Sequence, residues 1–415
     1  MEKIKYLIIG GGVAGTTAAE TIRQLDPLGS CTIVSDEPYR MYSRIMLSKP
    51  NFFLEKIPFD QIWLKQDDWY QKNTISLITG KKATALDTTK KTVTLNDGTT
   101  ITYEKLLLAP GSRVRMWDIP GAEKEGIYYL RTLDDAKGII AKVKSAKRAI
   151  VVGGGFVGFE MCEMLHLAGI EVTLIIREPY FWDPILDQRS GARIETILEL
   201  GGIKILRNSQ VKEVVGNATA QGVTLHNNII LPTDMIVVGI GTYCPFAWIQ
   251  TAGIQVNQGI LTNEYLMTNA PDVWAAGDGA EFKDVILDEH IQLGNWANAQ
   301  MQGRVAARNM CGDETEFRLV SFYVTSGFGI TIAFAGDIRP SEGREIIARD
   351  TADGISLSRL ILKADKIIGA TMINNTKELA TITKLVEKGT SMKHSKEKLA
   401  DASFDLKALL ETPTQ

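Results

Sequence analysis

The chain has 415 residues, 45% of them hydrophobic and 23% charged, with a formal net charge of −3. That length exceeds what one hydrophobic core supports, so two or three domains are expected, with room to bury large cofactors. The near-neutral charge gives no electrostatic footprint for nucleic acid and no apolar run reaches the length of a membrane span, so neither is an expected partner.

The opening "MEKIKYLIIGGGVAG" has an apolar run too short for a secretory segment, and it passes straight into a glycine-rich turn; a cytoplasmic protein is expected. "YLIIG", "GGVAGTTAAETIRQL" and "CTIVSD" read as strand, turn with helix, and strand. Ala14, Ala18, Ile22 and Leu25 recur at spacings of three and four, which puts one apolar face of the helix on a sheet. Gly10, Gly12 and Gly15 form G-x-G-x-x-G at the strand–helix turn. The three glycines serve a tight turn, close approach of backbone to a pyrophosphate, and close helix–strand packing. The phosphates belong on the N–H groups of the helix N-terminus, and Asp36, ending the second strand, is placed to accept hydrogen bonds from an adenosine ribose.

Next, "EPYRMYSRIMLSKP" carries no cysteine. "KATALDTTKKTVTLNDGTTITYEKLLLAPG" reads as antiparallel strands turning at "NDGT" and leading into a parallel strand. "AIVVG", "GGFVGFEMCEMLHLAGI" and "EVTLIIRE" then repeat the first unit, with Gly153, Gly155 and Gly158 in the glycine positions. Two such constellations in full strand–turn–helix–strand context imply two dinucleotide sites and two cofactors. Where an acidic residue would hold the ribose of NAD the second copy has Ile176, followed by Arg177 and Glu178. Arg177 could pair with the 2′-phosphate of NADP and Glu178 with the ribose hydroxyls of NAD, and both also read as solvated loop charges.

"VKEVVGNATAQGVTLHNNIILPTDMIVVGIG" repeats the antiparallel-then-parallel grammar, and from about Ser321 the chain reads as an antiparallel sheet followed by the helical "NTKELATITKLVEKG". The terminal "SMKHSKEKLADASFDLKALLETPTQ" reads as a loosely attached tail or short helix. The expected fold class is α/β: two Rossmann-like dinucleotide-binding domains, one inserted in the other, plus a C-terminal α+β domain. The expected boundaries are 1–112 with 245–318, then 113–244, then 319–415. The four cysteines and four histidines are scattered without zinc or iron–sulfur spacing, so no metal site and no disulfide framework are expected.

With these motifs the chain resembles the FAD-dependent pyridine nucleotide–disulfide oxidoreductase superfamily, whose fold is glutathione-reductase-like. The branch it is similar to comprises ferredoxin, rubredoxin and putidaredoxin reductases and the flavin module of NAD(P)H nitrite reductase. The likeness covers roughly residues 1–330 and loosens beyond. It implies FAD on Gly10, Gly12, Gly15 and Asp36, and NAD(P)H on Gly153, Gly155, Gly158 and Gly241, with Arg177 and Glu178 beside them. "YSRIMLSK" is similar to a family segment that puts Arg44 near the FAD ribose or phosphates and Lys49 near flavin N5, although Lys49 also reads as a capping or surface lysine. "LLLAPG" resembles the family's A-T-G turn, with Pro110 in place of threonine and the backbone of Ala109 and Gly111 toward FAD. "YLRTLDDA" implies Arg131 near the adenine. Glu160 matches a glutamate near the nicotinamide that could pair with Lys49, and it also reads as a helix N-terminal acid. "VWAAGDGAEF" implies Gly277 and Asp278 on FAD, and the next helix implies Trp296 and Ala297 at the flavin, with Trp296 as plain core the competing view.

Other branches of that superfamily keep a reactive cysteine near the flavin. Ser43, Ile45, Met46 and Ser48 occupy that stretch here, and Cys31 sits inside a predicted strand. The expectation is therefore an NAD(P)H oxidoreductase with Lys49 and Glu160 as catalytic residues. Its electrons would pass through FAD to, or from, a ferredoxin, a rubredoxin or an iron–sulfur subunit. An oxidase using oxygen or small molecules and a slow-turnover redox sensor are the alternatives, and the third domain is open to homodimerisation or to partner docking.

Overall fold

The run Ile4–Ile9 is buried from Tyr6 onward, as a strand at the centre of a parallel sheet must be. Its neighbours are Cys31–Val34 on one side and Thr100–Leu108 on the other, with Ile8 opposite both Ile33 and Leu107. Ile75–Ile78 extends the sheet beyond Cys31–Val34, and Val273–Ala275 pairs in parallel with Thr100–Leu108. The early part of Thr100–Leu108 also pairs antiparallel with Thr92–Leu95, which in turn pairs with Ala83–Asp87. Gly98, at φ +85°, closes the "NDGT" hairpin in a conformation that favours glycine.

The computed structural model describes residues 3–339 and 341–410. It divides into two units, and these strands belong to the first, which comprises Met1–Ser43, Asp60–Arg113 and Tyr243–Phe322. On the helix Val13–Leu25, Ala14, Ala18 and Ile22 are buried as expected, but Leu25 is 46% exposed. Ala19 completes the buried surface instead, because the helix also packs against a second helix, Trp296–Met310. There a Cβ on Gly303 would lie 2.2 Å from the carbonyl oxygen of Ala14, so the small residues allow two helix backbones to touch.

The second unit comprises Arg44–Phe59, Val114–Thr242 and Tyr323–Gln415. Its parallel sheet runs Lys204–Leu206, Glu171–Ile175, Arg148–Val152, Met235–Val238 and Ile127–Tyr128, the same plan as the first. The helices Leu133–Val143, Phe156–Leu167 and Gln188–Leu200 belong to this unit. Thr132 and Asp135 form a capping box at the start of Leu133–Val143. A five-stranded sheet follows in the order Phe322–Gly327, Ile330–Gly336, Lys366–Ile373, Leu357–Lys363, Arg344–Asp350, with the helix Leu379–Lys388 after it. Ile332, Phe334, Leu357 and Ile373 of this sheet share one hydrophobic core with Phe159, Leu174 and Val237 of the nucleotide fold.

Of the two readings of the C-terminal stretch, the short helix holds, with helical turns at Lys396–Ala400 and Leu406–Leu410, and the loose attachment does not. Met392, Leu399, Leu406 and Leu409 are buried, and Arg349, fully buried, ties the segment down. Its guanidinium donates to the carbonyls of Leu399 (2.7 Å), Asp401 (2.9 Å) and Phe404 (2.9 Å) and to Glu378 (2.8 Å). A buried arginine demands such acceptors, and a peptide wrapped around it supplies them. Residues 411–415 lie outside the described residues.

Asp337 makes the acid sensitivity of this sheet predictable. Burial alone would raise its carboxyl, but hydrogen bonds from Arg339 and Arg344 outweigh burial and hold it well below the usual carboxylate range. Because the folded value is depressed, the stabilisation is fully present above the unfolded value of about 4 and is lost as pH falls through the folded one. Asp337→Asn is expected to cost about 3–5 kcal/mol at neutral pH, since it leaves Arg344, whose side chain is only 7% exposed, without its carboxylate. Urea denaturation as a function of pH checks this: the wild-type curve should fall steeply in acid and the variant's should be flatter.

Candidate functional site

Both glycine fingerprints fold into the same cradle. A Cβ on Gly10 would lie 1.9 Å from the carbonyl oxygen of Ala109, and one on Gly15 would lie 1.9 Å from that of Gly10. In the second copy, Gly153 meets Gly239 O at 2.2 Å and Gly158 meets Gly153 O at 2.0 Å. The middle glycines differ from these: a Cβ on Gly12 or Gly155 would meet nothing within 4 Å. Each is the N-cap of its helix, and neither cap makes a side-chain hydrogen bond. An open floor at an uncapped helix N-terminus is what a pyrophosphate requires, so both cradles fit a dinucleotide.

In the first unit, Asp36 follows the strand Cys31–Val34 and its carboxylate is paired with Arg113. Ala109 ends the run into Gly111, which sits at φ +63°. Ser112 donates to Asp278 at 3.1 Å, and the Gly277 N–H donates to the side chain of Gln302 at 2.7 Å. Gln302 Nε2 and Asn298 Oδ1, one turn apart on Trp296–Met310, are buried without a hydrogen-bond partner among the described residues. Asn295 caps that helix through Asn298 N at 2.9 Å, which puts Trp296 and Ala297 in the first turn; both are only half-buried, so Trp296 is not plain core.

In the second unit, Arg44 donates to the carbonyl of Arg131, bringing two expected site residues together. Lys49 Nζ lies 2.5 Å from Glu160 Oε1. Glu160 is 7% exposed and is surrounded by donors, for Ser48 reaches Oε2 at 2.5 Å, and Thr325 (2.9 Å) and Tyr323 (3.3 Å) both reach Oε1. Arg177 and Glu178, the two readings of nucleotide preference, pair with each other at 2.7 Å, Arg177 on the outside. Gly241, at φ +100°, accepts from Arg115 N at 2.9 Å.

Ser48, Tyr323, Thr325, Arg113 and Gln302 were not legible as partners of these sites. Ser48 adjoins Lys49 in the quoted motif, whereas Tyr323 and Thr325 lie more than 160 residues from Glu160 and carry no local signal. Burial pushes the Cys31 thiol up to about 12, and it also raises Cys162 and Cys311. Cys244 approaches the carbonyl of Asp278 at 3.8 Å, a neighbour that the sequence did not reveal. Among the described residues no group of three or more His, Cys, Asp or Glu could hold a metal ion, and no helix is long and apolar enough to cross a membrane.

Residues 4–303 match the family described as pyridine nucleotide-disulphide oxidoreductase, and residues 325–410 match the reductase C-terminal family. The chain is 31% identical to nitrite reductase [NAD(P)H] of Bacillus subtilis (strain 168), over 94% of its own length but only 48% of that protein's. It is 29% identical to the 5,5'-dehydrodivanillate O-demethylase ferredoxin reductase subunit of Sphingobium sp. (strain NBRC 103272 / SYK-6), covering 99% of each chain. The solved covalent putidaredoxin reductase–putidaredoxin complex contains a chain similar in fold, with TM-score 0.92, 25% identity and 99% of each chain covered. With two dinucleotide cradles in two Rossmann-type folds, followed by the C-terminal sheet, this chain belongs to the pyridine nucleotide-disulphide oxidoreductase family.

Proposed function

We propose that this chain is an FAD-dependent reductase that passes electrons from NAD(P)H to an iron–sulfur redox protein such as a ferredoxin or rubredoxin. The observation that carries the reading is the pair of matching glycine cradles, which gives one chain a place for each of two dinucleotides. The names of its relatives as ferredoxin reductase and putidaredoxin reductase support the choice of acceptor.

In this reading residues 1–112 with 245–318 hold FAD, 113–244 hold NAD(P)H, and 319–415 form an interface domain. FAD, when bound, would supply the hydride-accepting and one-electron-releasing chemistry. The chain's own residues bind and orient. The N–H groups around Gly12 hold one pyrophosphate, those around Gly155 the other, and Asp36 takes the ribose in exchange for Arg113. Ala109, Gly111, Gly277 and Asp278, with the first turn at Trp296 and Ala297, complete the flavin set, and Arg44 and Arg131 are assigned to it by resemblance. Lys49, held by Glu160, is likewise assigned to the flavin by resemblance, where a fixed positive charge would favour growing electron density. The reading places the protein in the cytoplasm.

Electrons leave without a thiol. Cys244→Ser is accordingly expected to leave NAD(P)H-driven reduction of the acceptor unchanged within about twofold, whereas a thiol relay would lose it by orders of magnitude. The proposal itself is tested in steady state by comparing NADH- and NADPH-driven reduction of oxidised ferredoxin or rubredoxin with oxygen consumption. Faster reduction of the iron–sulfur protein supports it. Faster oxygen uptake makes the protein an oxidase, and slow turnover with every acceptor makes it a sensor.

A further inference from the structure

Glu160 has more donors than the Lys49 pair requires, and two of them come from the C-terminal sheet. Tyr323 and Thr325 are alternate residues of the strand Phe322–Gly327 and so present their side chains to one side. Both meet Glu160 Oε1, Thr325 at 2.9 Å and Tyr323 at 3.3 Å, alongside Lys49 at 2.5 Å. One turn further along the helix Phe156–Leu167, Glu163 accepts from the backbone N–H of Phe328 at 2.8 Å, so the hairpin lies along the helix. A Cβ on Gly327 would lie 2.8 Å from the Phe159 ring and 3.0 Å from Glu163 Oε2, which makes that approach dependent on glycine. The ring of Tyr323 also meets Phe156, the first residue of the nucleotide-binding helix, at 4.3 Å between centroids.

We infer that Tyr323 and Thr325 are positioning residues that fix the Glu160 carboxylate, and through it Lys49, for NAD(P)H. The inference rests on the reading of Glu160 as a nicotinamide-site residue. Lys49, Thr325 and Tyr323 converge on Oε1 and Ser48 reaches Oε2, so both oxygens of the carboxylate are engaged. Those donors come from two stretches of chain remote from the helix that bears Glu160, so the carboxylate is held in one orientation. Thr325 is 1% exposed, so its hydroxyl meets Glu160 away from bulk solvent. Burial first, and the Glu160 charge second, push the phenol of Tyr323 well above its ordinary value, so it stays a donor throughout the working pH range.

The test uses the FAD-loaded protein with Thr325→Val, Thr325→Ser, Tyr323→Phe and Glu160→Gln. Two quantities are read: calorimetric affinity of the oxidised protein for NAD+, which needs no turnover, and the flavin reduction rate at saturating NADH. Thr325→Val should weaken NAD+ binding about tenfold, the loss of one hydrogen bond to a charge. Thr325→Ser should restore it, and Tyr323→Phe should weaken it about threefold in keeping with its longer contact. If Glu160→Gln weakens binding and Thr325→Val does not, the positioning role is overturned while the functional reading stands. If Glu160→Gln also has no effect, the reading of Glu160 fails and the inference with it. Should Thr325→Val fail to fold, Tyr323→Phe decides by the same measurement, unchanged affinity overturning the role.

Discussion

Replacing Gly155 with valine is expected to leave the chain folded and loaded with FAD, yet unable to be reduced by NADH or NADPH. Gly155 has φ −92° and ψ −168°, a backbone that a β-branched residue adopts readily. A Cβ there meets nothing within 4 Å, so the folded protein has no steric reason to object. The valine methyls would instead occupy the floor on which the pyrophosphate lies. Nucleotide affinity should fall by at least about a hundredfold, roughly 3 kcal/mol. Gly12→Val should do the same to FAD and give a colourless, folded protein. Gly10→Ala and Gly153→Ala differ in kind, because their Cβ atoms would lie 1.9 and 2.2 Å from carbonyl oxygens at positive φ, and these variants should misfold. Flavin content, calorimetry with NAD+ and circular dichroism separate the two classes. A Gly155→Val protein reduced at the wild-type rate would show that the second cradle does not bind the nucleotide.

The second large effect is expected at the Lys49–Glu160 pair. Lys49→Met removes the fixed cation and should slow flavin reduction by NADH about 10²–10³-fold at saturation, the usual consequence of deleting one preorganised electrostatic group. Glu160→Gln should slow it less, because the ammonium survives but loses its anchor. The decisive observation is the double variant. If the two side chains act as one unit, Lys49→Met with Glu160→Gln is no slower than Lys49→Met alone. Strict multiplication of the two effects, measured by stopped-flow absorbance, would show that the 2.5 Å contact has no bearing on the reaction.

The parts of this protein that were legible in its sequence are those specified by neighbouring residues. Gly10, Gly12 and Gly15 shape one cradle from six consecutive positions, Asn96–Thr99 set one hairpin, and the helix Trp296–Met310 begins at its own Asn295 cap. What long-range packing decides was hidden. Leu25 kept the helical spacing and is exposed, because the burial of its helix is shared with a second helix whose approach through Gly303 no local pattern announces. The segment from Met392 onward read as loose because its apolar anchors are sparse; its order comes from one buried arginine in a distant strand. Arg177 and Glu178 read either as competing ligands or as solvated loop charges, and in the folded chain each is the other's partner. Glu160 was legible by resemblance, but the hydroxyls that hold it were not, since strand alternation says which residues share a face and not what that face meets.

The most direct test of the account is anaerobic double mixing. The FAD-loaded protein is first reduced with NADH or NADPH, then mixed with oxidised ferredoxin or rubredoxin in one syringe and with air-saturated buffer in another. The account predicts flavin bleaching on the millisecond scale by one of the nucleotides, and reoxidation much faster by the iron–sulfur protein than by oxygen, unchanged in Cys244→Ser. Reoxidation fastest by oxygen, or flavin that no nucleotide reduces, would contradict it.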